Sequence, residues 1–428
     1  MKRIRILALF GLTLILNGCT NNLEVSTIQK NETQIELNSE DININKDTEL
    51  NIEENTEKLE DVEGIKVTTS ETEPQIEEKI EETVSENQVS TEEISNIPSS
   101  EKINENVEVE EHKEVTETST KEVTISFAGD CTLGGFLGQS PEASFDQVYS
   151  LNGGEYFLSN VKEVFESDDL TIVNLEGPFT NITPTNDKQF PIGCKPEHVD
   201  VLTSGSVELV NLANNHIWDC EQQGIYDTIQ TLRDNNIGYF GEGYKHIEEI
   251  NSLKIGFLGY RAFYIDQTVL NGIYNDIQEL KNNGANVVVV FFHYGEERQY
   301  YNNKDQERIS KHAIDSGADI VIGGHPHVIR GVEIYNGRTI CYSMGNFSFG
   351  ANKNPSDKDT FIYQQTFRLS NDGTVSYSNH TIIPCRISSK TDWNDYKPTL
   401  LDGTDSERVF NRLKEYSSKY ETSIFDIM

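Results

Sequence analysis

The stretch Val123-Thr-Ile-Ser-Phe-Ala-Gly-Asp130 marks the start of a folded unit and indicates its class. Its β-branched and aromatic residues favour a strand, and we interpret it as a buried strand that ends at Gly129-Asp130. Similar short apolar runs recur along the chain, at 170–175, 207–213, 253–258, 286–292 and 319–322. Helical patterns lie between them, at 222–235, 272–283 and 303–316. Strands that alternate with helices predict an α/β fold with largely buried strands.

The chain after Gly331 has a different pattern, of short strands joined by tight turns. The strands are expected at 332–335, 339–343, 360–369 and 374–383. Asn336-Gly337 and Asn371-Asp372-Gly373 are natural turns between them. We expect residues 121–390 to form one domain. Residues 391–428, with an amphipathic helix near 406–416, are expected to form a C-terminal extension that packs on it.

Charge divides the chain into unlike parts. The whole chain has 71 acidic and 35 basic side chains, a formal charge of −36, of which residues 121–428 hold −17. Residues 20–120 hold 29 acidic and 7 basic side chains and no Phe, Trp or Tyr, so we expect a disordered Glu-rich spacer. The acidic balance argues against nucleic acid as a partner, since nucleic acid requires clustered Lys and Arg.

The first 19 residues have the pattern of an export signal. Lys2, Arg3 and Arg5 precede an apolar run at 6–16 that is too short to span a bilayer comfortably. The run ends in Leu16-Asn17-Gly18-Cys19, which resembles a bacterial lipobox. We therefore expect a lipoprotein signal peptide at 1–19, acylation of Cys19, and a protein exported and lipid-anchored to the outer face of the bacterial cell membrane. The alternative is an ordinary cleaved signal peptide with an incidental cysteine.

Polar side chains gather where the predicted strands end. Five strand ends each deliver Asp, Glu, Asn or His, namely Asp130, Asn174 with Glu176, Asn214 to Asp219, His293, and His325 with His327. In α/β sheets, ligands bind outside the carboxyl ends of the strands. Each group alone fits a helix cap, a turn or a structural histidine. Their ordered co-occurrence favours a metal site, and carboxylate, amide and imidazole ligands suit one or two divalent ions of Mn, Fe, Zn or Mg.

The ordered set of these motifs resembles the CapA family, which is associated with capsule and poly-γ-glutamate synthesis within the calcineurin-like metallophosphatase superfamily. The motifs are Gly129-Asp130, Asn174 to Thr180, Asn214 to Asp219, His293 to Glu297, Gly323 to His327, and Ser343 to Phe347. The resemblance covers about residues 122–385. It implies a four-layer α-β-β-α sandwich and, as partner, a capsule-type anionic polymer or its synthesis and export machinery.

The resemblance also implies roles for individual residues. Six side chains match metal ligands of the superfamily: Asp130, Glu176, Asn215, His293, His325 and His327. Glu176 resembles the carboxylate that bridges two ions, with Asn215, His293 and His325 completing one site and Asp130 and His327 holding the other. His216 resembles the general acid, and Asp219 is placed to orient it. Arg330 is a candidate contact for an anionic substrate, with a surface salt bridge as the alternative.

One motif departs from the superfamily pattern. The usual Asp-x-His reads Asp130-Cys131-Thr132, so one ligand of the first metal is missing. A hydroxyl, a water or Cys131 is a candidate to fill the position. Besides Cys19, five cysteines show no paired spacing and are expected to be small buried residues, with a redox or ligand role as the alternative for Cys131 and Cys220: Cys131, Cys194, Cys220, Cys341 and Cys385.

Three functions remain open on the sequence. The first is a metal-dependent hydrolase or transferase in capsule or poly-γ-glutamate synthesis or export. The second is a metallophosphoesterase for another cell-envelope substrate, and the third is a non-catalytic subunit that binds or scaffolds the polymer. His216 and Asp219 favour catalysis, whereas the departure in the first motif favours a scaffold or a one-metal mechanism.

Overall fold

A computed structural model of the chain describes residues 121–185 and 188–427. The predicted leader, the acylated Cys19 and the spacer at 20–120 lie outside the described residues and stay predictions. No helix in the described part of the chain is both long enough and apolar enough to cross a membrane.

Strands account for much of the described chain. In chain order they are β1 (Lys121–Thr132), β2 (Gly135–Phe136), β3 (Leu170–Leu175), β4 (Ile192–Gly193), β5 (Leu209–Asn211), β6 (Gly238–Phe240), β7 (His246–Ile250), β8 (Leu253–Arg261), β9 (Val287–His293), β10 (Ile320–Gly324), β11 (Val332–Tyr335), β12 (Arg338–Cys341), β13 (Asn346–Phe349), β14 (Asp359–Leu369), β15 (Val375–Arg386) and β16 (Thr399–Leu400).

The helices lie between and after these strands. They are α1 (Phe145–Asn152), α2 (Lys162–Glu166), α3 (Asp200–Ser204), α4 (Glu221–Asp234), α5 (Gln267–Asn282), α6 (Lys304–Asp315) and α7 (Gly403–Ser417), with 3-10 turns at Gly154–Tyr156, Pro196–Val199 and Ile424–Asp426.

Two large sheets organise the fold. The first has the order β16-β15-β14-β1-β3-β5-β6, with β13 also paired to β1, and the second has the order β11-β12-β10-β9-β8-β7. The inner strands of both sheets run parallel, from β1 through β3 to β5 and from β8 through β9 to β10. The carboxyl ends of neighbouring strands therefore meet at one edge of each sheet.

Strand β9 shows why the layers form, because its successive side chains enter two different cores. Three of them enter the core between the two sheets: Val287, Val289 and Phe291. The other three enter the core beneath α5 and α6: Val288, Val290 and Phe292. Each fully buried side chain of this kind contributes about 1.5–3 kcal/mol. The strand is consequently apolar at every position up to His293.

The outer face of the first sheet is covered in the same way. Helices α1 to α4 contribute apolar side chains to a third core on that face, including Phe165, Leu202 and Ile229. The order of layers is therefore helix, sheet, sheet, helix. The predicted four-layer α-β-β-α sandwich is confirmed.

Predicted and observed element boundaries differ where local hydrogen bonding ends an element. Helix α6 keeps to its predicted limits, since Asn303 caps its start in a reciprocal pair with Gln306. Helix α5 begins earlier than predicted, because Asp266 accepts a hydrogen bond from the Val269 N–H. Strand β5 is shorter than predicted: Oδ1 of Asn211 accepts from the N–H of Ala213, and the chain turns out of the sheet there.

Helix α7 packs its apolar face into the core between the sheets, through Val409, Leu413 and Tyr416. Its other face carries Arg408, which binds the carboxylate of Asp359 at the start of β14, and Arg412, which binds that of Asp357 just before it. The C-terminal helix thereby holds the segment that leads into β14 against the sandwich.

Candidate metal centre

The ends of four parallel strands bring acidic and imidazole side chains from both sheets together. Asp130 lies near the end of β1 and Glu176 directly follows β3 in the first sheet. His293 ends β9 and His325 directly follows β10 in the second sheet. Because the two sheets pack face to face, these side chains meet at one end of the sandwich.

Glu176 lies at the centre of this group. Its side chain is fully buried, and neither carboxylate oxygen has a hydrogen-bond partner among the described residues. Oε1 lies 3.5 Å from Nε2 of His293 and 4.0 Å from Nε2 of His327. Burial, reinforced by the nearby Asp130 carboxylate, raises the pKa of Glu176 well above its usual value. A buried carboxylate that faces imidazoles without a partner is the arrangement that a divalent cation would complete.

Two groups of potential ligand atoms share Glu176. One comprises Glu176, His293 and His325, the other comprises Asp130, Glu176 and His327, and within each group the atoms lie within 4.8 Å of one another. Asn215 joins the first group, since its Oδ1 lies 2.7 Å from Nε2 of His293. The structure thus brings together all six side chains that the sequence singled out as metal ligands.

The two buried histidines are held in the neutral form that metal binding requires. Burial, together with the neighbouring His325 and His327, holds the pKa of His293 well below its usual value. Burial likewise lowers the pKa of His325 to about 3. Nδ1 of His325 is buried and has no partner among the described residues. Its lone pair is therefore available to a cation.

The residues around the ligands fix their orientation, and sequence reasoning gave them no role. Asn174 donates to Oδ1 of Asp130 at 2.8 Å and lies 3.3 Å from Nδ1 of His293. Oδ1 of Asn174 accepts in turn from Asn211 at 2.8 Å. Nδ1 of His327 lies 2.8 Å from Oδ1 of Asn346, which leaves Nε2 towards Glu176. Asn174 and Asn346 stand inside the motifs of the family, so their amides could have been assigned this role.

The backbone after β10 is strained where it presents its histidines. His325 and His327 have φ angles of 90° and 58°, a region that residues other than glycine rarely adopt. The N–H of His325 donates to Oδ2 of Asp130 at 3.0 Å. A Cβ at Gly324 would lie 2.5 Å from Oδ1 of Asp130, so the strand end requires glycine there. Strain of this kind is typical of functional sites.

His216 and Asp219 form a hydrogen-bonded pair beside this group. Nδ1 of His216 donates to Oδ2 of Asp219 at 2.6 Å, and Asp219 is fully buried. Burial alone would raise the pKa of Asp219, but bonds from His216, Lys188 and the Ile192 N–H outweigh it and hold the pKa below its usual value. The pair has the geometry of an imidazole oriented by an ionised carboxylate.

Lys188 is a contact that the sequence did not reveal. Its ammonium donates both to Asp219 and to the carbonyl oxygen of Asn215, the latter at 2.6 Å. It therefore ties the His216 pair to a candidate metal ligand. Lys188 stands in a loop without any motif, so only the tertiary structure could identify it.

The structure partly answers which group could replace the histidine that is missing from the first motif. Cys131 lies in the core beneath the helices, where burial raises the pKa of its thiol to about 12, so the side chain faces away from the site. Cys220 is likewise buried, and its pKa is raised to about 12. The five cysteines in the described part of the chain are all buried, as the sequence predicted, and no two of them form a disulfide. Cys131 belongs to none of the groups of potential metal ligands found among the described residues.

Arg330 does not have the role suggested for it. Its side chain is 1% exposed, and the guanidinium donates to the carbonyl oxygens of Glu296 and Gln299 and to the side chain of Gln306. Each of its three guanidinium nitrogens therefore donates to a group of the protein itself. The predicted contact with an anionic substrate is therefore replaced by a structural one, in which Arg330 holds the loop after β9.

That loop supplies a further candidate ligand. Glu297 is exposed and groups with His325 and His327 within the same 4.8 Å limit. It belongs to the motif that begins at His293, but the sequence reasoning gave it no role. Glu297, His216 and His327 line one part of a cleft of about 620 Å³. The cleft continues along apolar side chains, among them Phe136, Phe190 and Phe349.

Comparison with known proteins adds the family. Residues 124–351, more than half of the chain, match the family model of the bacterial capsule synthesis protein PGA_cap. The capsule biosynthesis protein CapA of Bacillus anthracis is 26% identical over 334 residues, covering 71% of this chain and 76% of that protein. The PGA biosynthesis protein CapA of Bacillus subtilis (strain 168) is 29% identical over 249 residues, covering 53% of this chain and 63% of that protein, slightly less than two thirds of its length.

Solved structures with a related arrangement include a phosphatase from Mycoplasma pneumoniae, with a TM-score of 0.39 and 16% identity over 62% of this chain and 94% of that one. The NAD nucleotidase of Haemophilus influenzae has a TM-score of 0.37 and 13% identity over 72% of this chain and 58% of that one. By its sequence, from the first strand to the segment after β13, the chain belongs to the bacterial capsule synthesis protein family.

Proposed function

We propose that this protein acts in the synthesis or export of an anionic capsule polymer of the poly-γ-glutamate type, through hydrolase- or transferase-type chemistry at a divalent metal centre. The observation that carries the proposal is Glu176, a fully buried carboxylate without a partner that lies between two groups of imidazole and carboxylate ligands. A purely structural carboxylate would be hydrogen-bonded at this depth. Relatives named for capsule and PGA biosynthesis support the choice of polymer.

The donor atoms fit a divalent cation. Asp130, Glu176 and His327 would hold one ion, and Glu176, Asn215, His293 and His325 would hold another. A bound ion of this kind supplies an activated water at neutral pH and neutralises negative charge that develops on an oxygen. The orphaned atoms of Glu176 and His325 would both gain partners.

His216 is placed to act as the general acid. Its Nδ1 is bound to Asp219, so Nε2 is the nitrogen that would carry a transferable proton in the protonated ring, and the side chain lines the cleft. The carboxylate of Asp219 stays ionised and stabilises the imidazolium. Protonation of a leaving group by such a side chain contributes about 10²–10⁴-fold in rate.

The cleft offers positive charge to an anionic chain, although residues 121–428 carry a formal charge of −17. Arg298 and Lys353 both line it, and the exposed Glu297 lies at its metal end, where a bound ion would offset its charge. Asp357 also lines it, but its carboxylate is bound by Arg412 and so is neutralised. Local cations and a bound metal ion would therefore offset the repulsion that the acidic domain exerts on a polyanion.

The test compares the full chain in its metal-free form and after reloading with Mn²⁺, Fe²⁺, Zn²⁺ or Mg²⁺, on a panel of phosphomonoesters, phosphodiesters and γ-glutamyl oligomers. We expect metal-dependent turnover that falls about 10²–10⁴-fold in His216→Ala. His246→Ala, on the edge strand β7, is the matched control and should match the wild type.

The outcomes separate the three functions. Cleavage or transfer of γ-glutamyl substrates supports the proposal, and turnover of phosphoesters alone favours a metallophosphoesterase. Binding of the polymer without turnover under any metal favours a non-catalytic subunit. Equal activity of the metal-free protein would contradict the catalytic proposal.

Membrane attachment is a separate part of the proposal and is supported by the sequence of residues 1–19 alone. Acylation of Cys19 would place the folded domain at the outer face of the membrane, at the end of an acidic spacer. Radiolabelled fatty acid should enter the wild-type protein but not Cys19→Ala, which should be released from the membrane fraction. Labelling that persists in Cys19→Ala would refute the assignment.

A further inference from the structure

The hydroxyl of Thr132 is buried and lacks a partner. Its side chain is fully inaccessible, and Oγ1 makes no hydrogen bond within the described residues. Two backbone carbonyls beside it are paired, since that of Thr132 accepts a hydrogen bond from the Gly350 N–H and that of Cys131 accepts one from the Glu176 N–H. Because buried hydroxyls are nearly always hydrogen-bonded, this one requires an explanation.

The direction of the side chain follows from its neighbours in β1. Cys131 and Leu133 both enter the core beneath the helices. Successive side chains of a strand point to opposite faces, so Thr132 shares the face of Asp130. The sequence Asp130-Cys131-Thr132 thus places a hydroxyl two residues after the carboxylate, on the side of the metal centre.

Thr132 lies beside Glu176. Cys131 pairs with Leu175 across the parallel strands β1 and β3, and the Glu176 N–H donates to the Cys131 carbonyl oxygen at 2.9 Å, so the next residues of the two strands are neighbours. Oγ1 of Thr132 and both carboxylate oxygens of Glu176 lack hydrogen-bond partners among the described residues. A hydroxyl oxygen and two carboxylate oxygens, all buried and all unpartnered, therefore adjoin one another. A cation bound between them would give each oxygen a partner.

We propose that Oγ1 of Thr132 is a neutral oxygen donor to the ion held by Asp130, Glu176 and His327, and that this makes the two metal positions chemically different. The inference rests on the metal centre of the proposed function. The position with Thr132 offers three oxygens and one nitrogen, which suits a hard ion such as Mg²⁺ or Mn²⁺. A threonine or serine hydroxyl is an established ligand of Mg²⁺ in other sites.

The second position has the opposite preference. Glu176 and Asn215 supply two oxygens there, and His293 and His325 supply two imidazoles. Imidazole suits Zn²⁺ and Fe²⁺. We therefore expect a centre that takes two different ions, with Thr132 contributing to the choice at the position of Asp130.

The test uses the full chain as wild type, Thr132→Val and Thr132→Ser, with Mn²⁺ and Zn²⁺ titrated separately by calorimetry and Mn²⁺ also followed by electron paramagnetic resonance. Valine keeps the shape and removes the hydroxyl. We expect Thr132→Val to bind Mn²⁺ about 10–100-fold more weakly at one position and Zn²⁺ unchanged at the other. Thr132→Ser should stay close to the wild type.

A matched control distinguishes a ligand from a structural hydroxyl. Thr171 is equally buried, but its hydroxyl donates to Asp168 at 2.8 Å. Thr171→Val should lower the thermal stability of the metal-free protein and leave metal affinity unchanged. Thr132→Val should leave the thermal stability of the metal-free protein unchanged and should weaken the binding of Mn²⁺. The Thr132 hydroxyl makes no hydrogen bond in the metal-free protein that the variant could lose.

Two results would overturn the inference. If Thr132→Val binds Mn²⁺ as tightly as the wild type, Thr132 is not a donor, whatever happens to the rest of the centre. If the wild type itself binds neither ion, the metal centre and the proposed function fail together. Wild-type binding of both ions with an unaffected Thr132→Val would remove this inference alone.

Discussion

Glu176 has a side chain whose burial is costly without a cation. A carboxylate removed from water and left without a partner destabilises the fold, and the nearby Asp130 adds like-charge repulsion. Both residues stand at strand ends that the parallel register forces together. The metal-free form therefore stores an electrostatic cost that binding of a divalent ion would remove.

Lys188 gives a prediction at the same scale. Its ammonium bonds Asp219 and the Asn215 carbonyl, so Lys188→Met should misplace His216 relative to the metal centre. We expect kcat to fall by up to about 100-fold with little change in KM, since the contact orients the acid and does not bind substrate. Steady-state kinetics on the metal-loaded protein provide the measurement.

Lys195→Met is the matched control for this variant. Lys195 belongs to the same stretch of chain but pairs with Asp146 at the surface, at 3.4 Å. The Lys195→Met variant should therefore have the kcat of the wild type. A Lys188→Met protein with wild-type kcat would show that the contact has no role in orienting His216.

At the scale of elements, the end of β10 has no room for a side chain at Gly324. A Cβ on Gly324 would lie 2.5 Å from Oδ1 of Asp130 and 3.4 Å from Nδ1 of His293. Gly324→Ala should displace both ligands and weaken metal binding at least tenfold, as measured by calorimetry. Unchanged affinity would mean that the ligands do not act from these positions.

Gly272→Ala is the control for the glycine variant. Gly272 lies within α5, and a Cβ there would meet no atom within 4 Å. Alanine should raise the free energy of unfolding by about 0.5–1 kcal/mol, because it favours the helix. Metal affinity should not change.

The contact between α7 and the cleft wall should depend on pH. Burial would raise the pKa of Asp357, but hydrogen bonds and charge from Arg412 outweigh it and hold the pKa below its usual value. The guanidinium binds both carboxylate oxygens, at 2.9 and 2.5 Å. Since the folded pKa lies below the unfolded one, this stabilisation is complete above about pH 4 and is lost as the pH falls through the folded pKa.

Asp357→Asn tests that dependence. It should lower the free energy of unfolding by about 1.5–3 kcal/mol at pH 7. The difference in free energy of unfolding between the variant and the wild type should shrink as the pH falls below about 4. Urea unfolding at pH 7, 5 and 3 gives the comparison, with the exposed Asp392→Asn as control. If this difference in free energy of unfolding is the same at all three pH values, Asp357 is not ionised in the folded protein.

For the whole molecule, the sequence was informative wherever a residue's neighbours along the chain determine its position. The apolar run of β9 predicts burial on both faces, and polar residues at strand ends predict a shared site. The sequence could not place Lys188, because a loop without a motif brings it to the site. Glu297 lies in the motif that begins at His293, but only the tertiary structure shows that it reaches His325 and His327. Arg330 was assigned wrongly because burial beneath the loop after β9 is a tertiary property.

The first motif, Asp130-Cys131-Thr132, also needed the tertiary structure for its interpretation. The sequence showed that a histidine is absent at Thr132 and left a hydroxyl, a water and Cys131 open. Only the packing of the strand shows that Cys131 faces the helices while Thr132 faces the ligands. Composition likewise gave only the total charge of −17 for residues 121–428, whereas the structure places Arg298 and Lys353 along the cleft.

The most direct test of the central claim is the divalent metal content of the purified full chain, measured by elemental analysis after reloading and removal of free ions. The wild type and His246→Ala should retain one or two ions per chain, and Glu176→Gln and His325→Ala should each lose at least one. Retention of the same metal content in all four proteins, or no bound metal in the wild type, would contradict a metal centre at the ends of these strands.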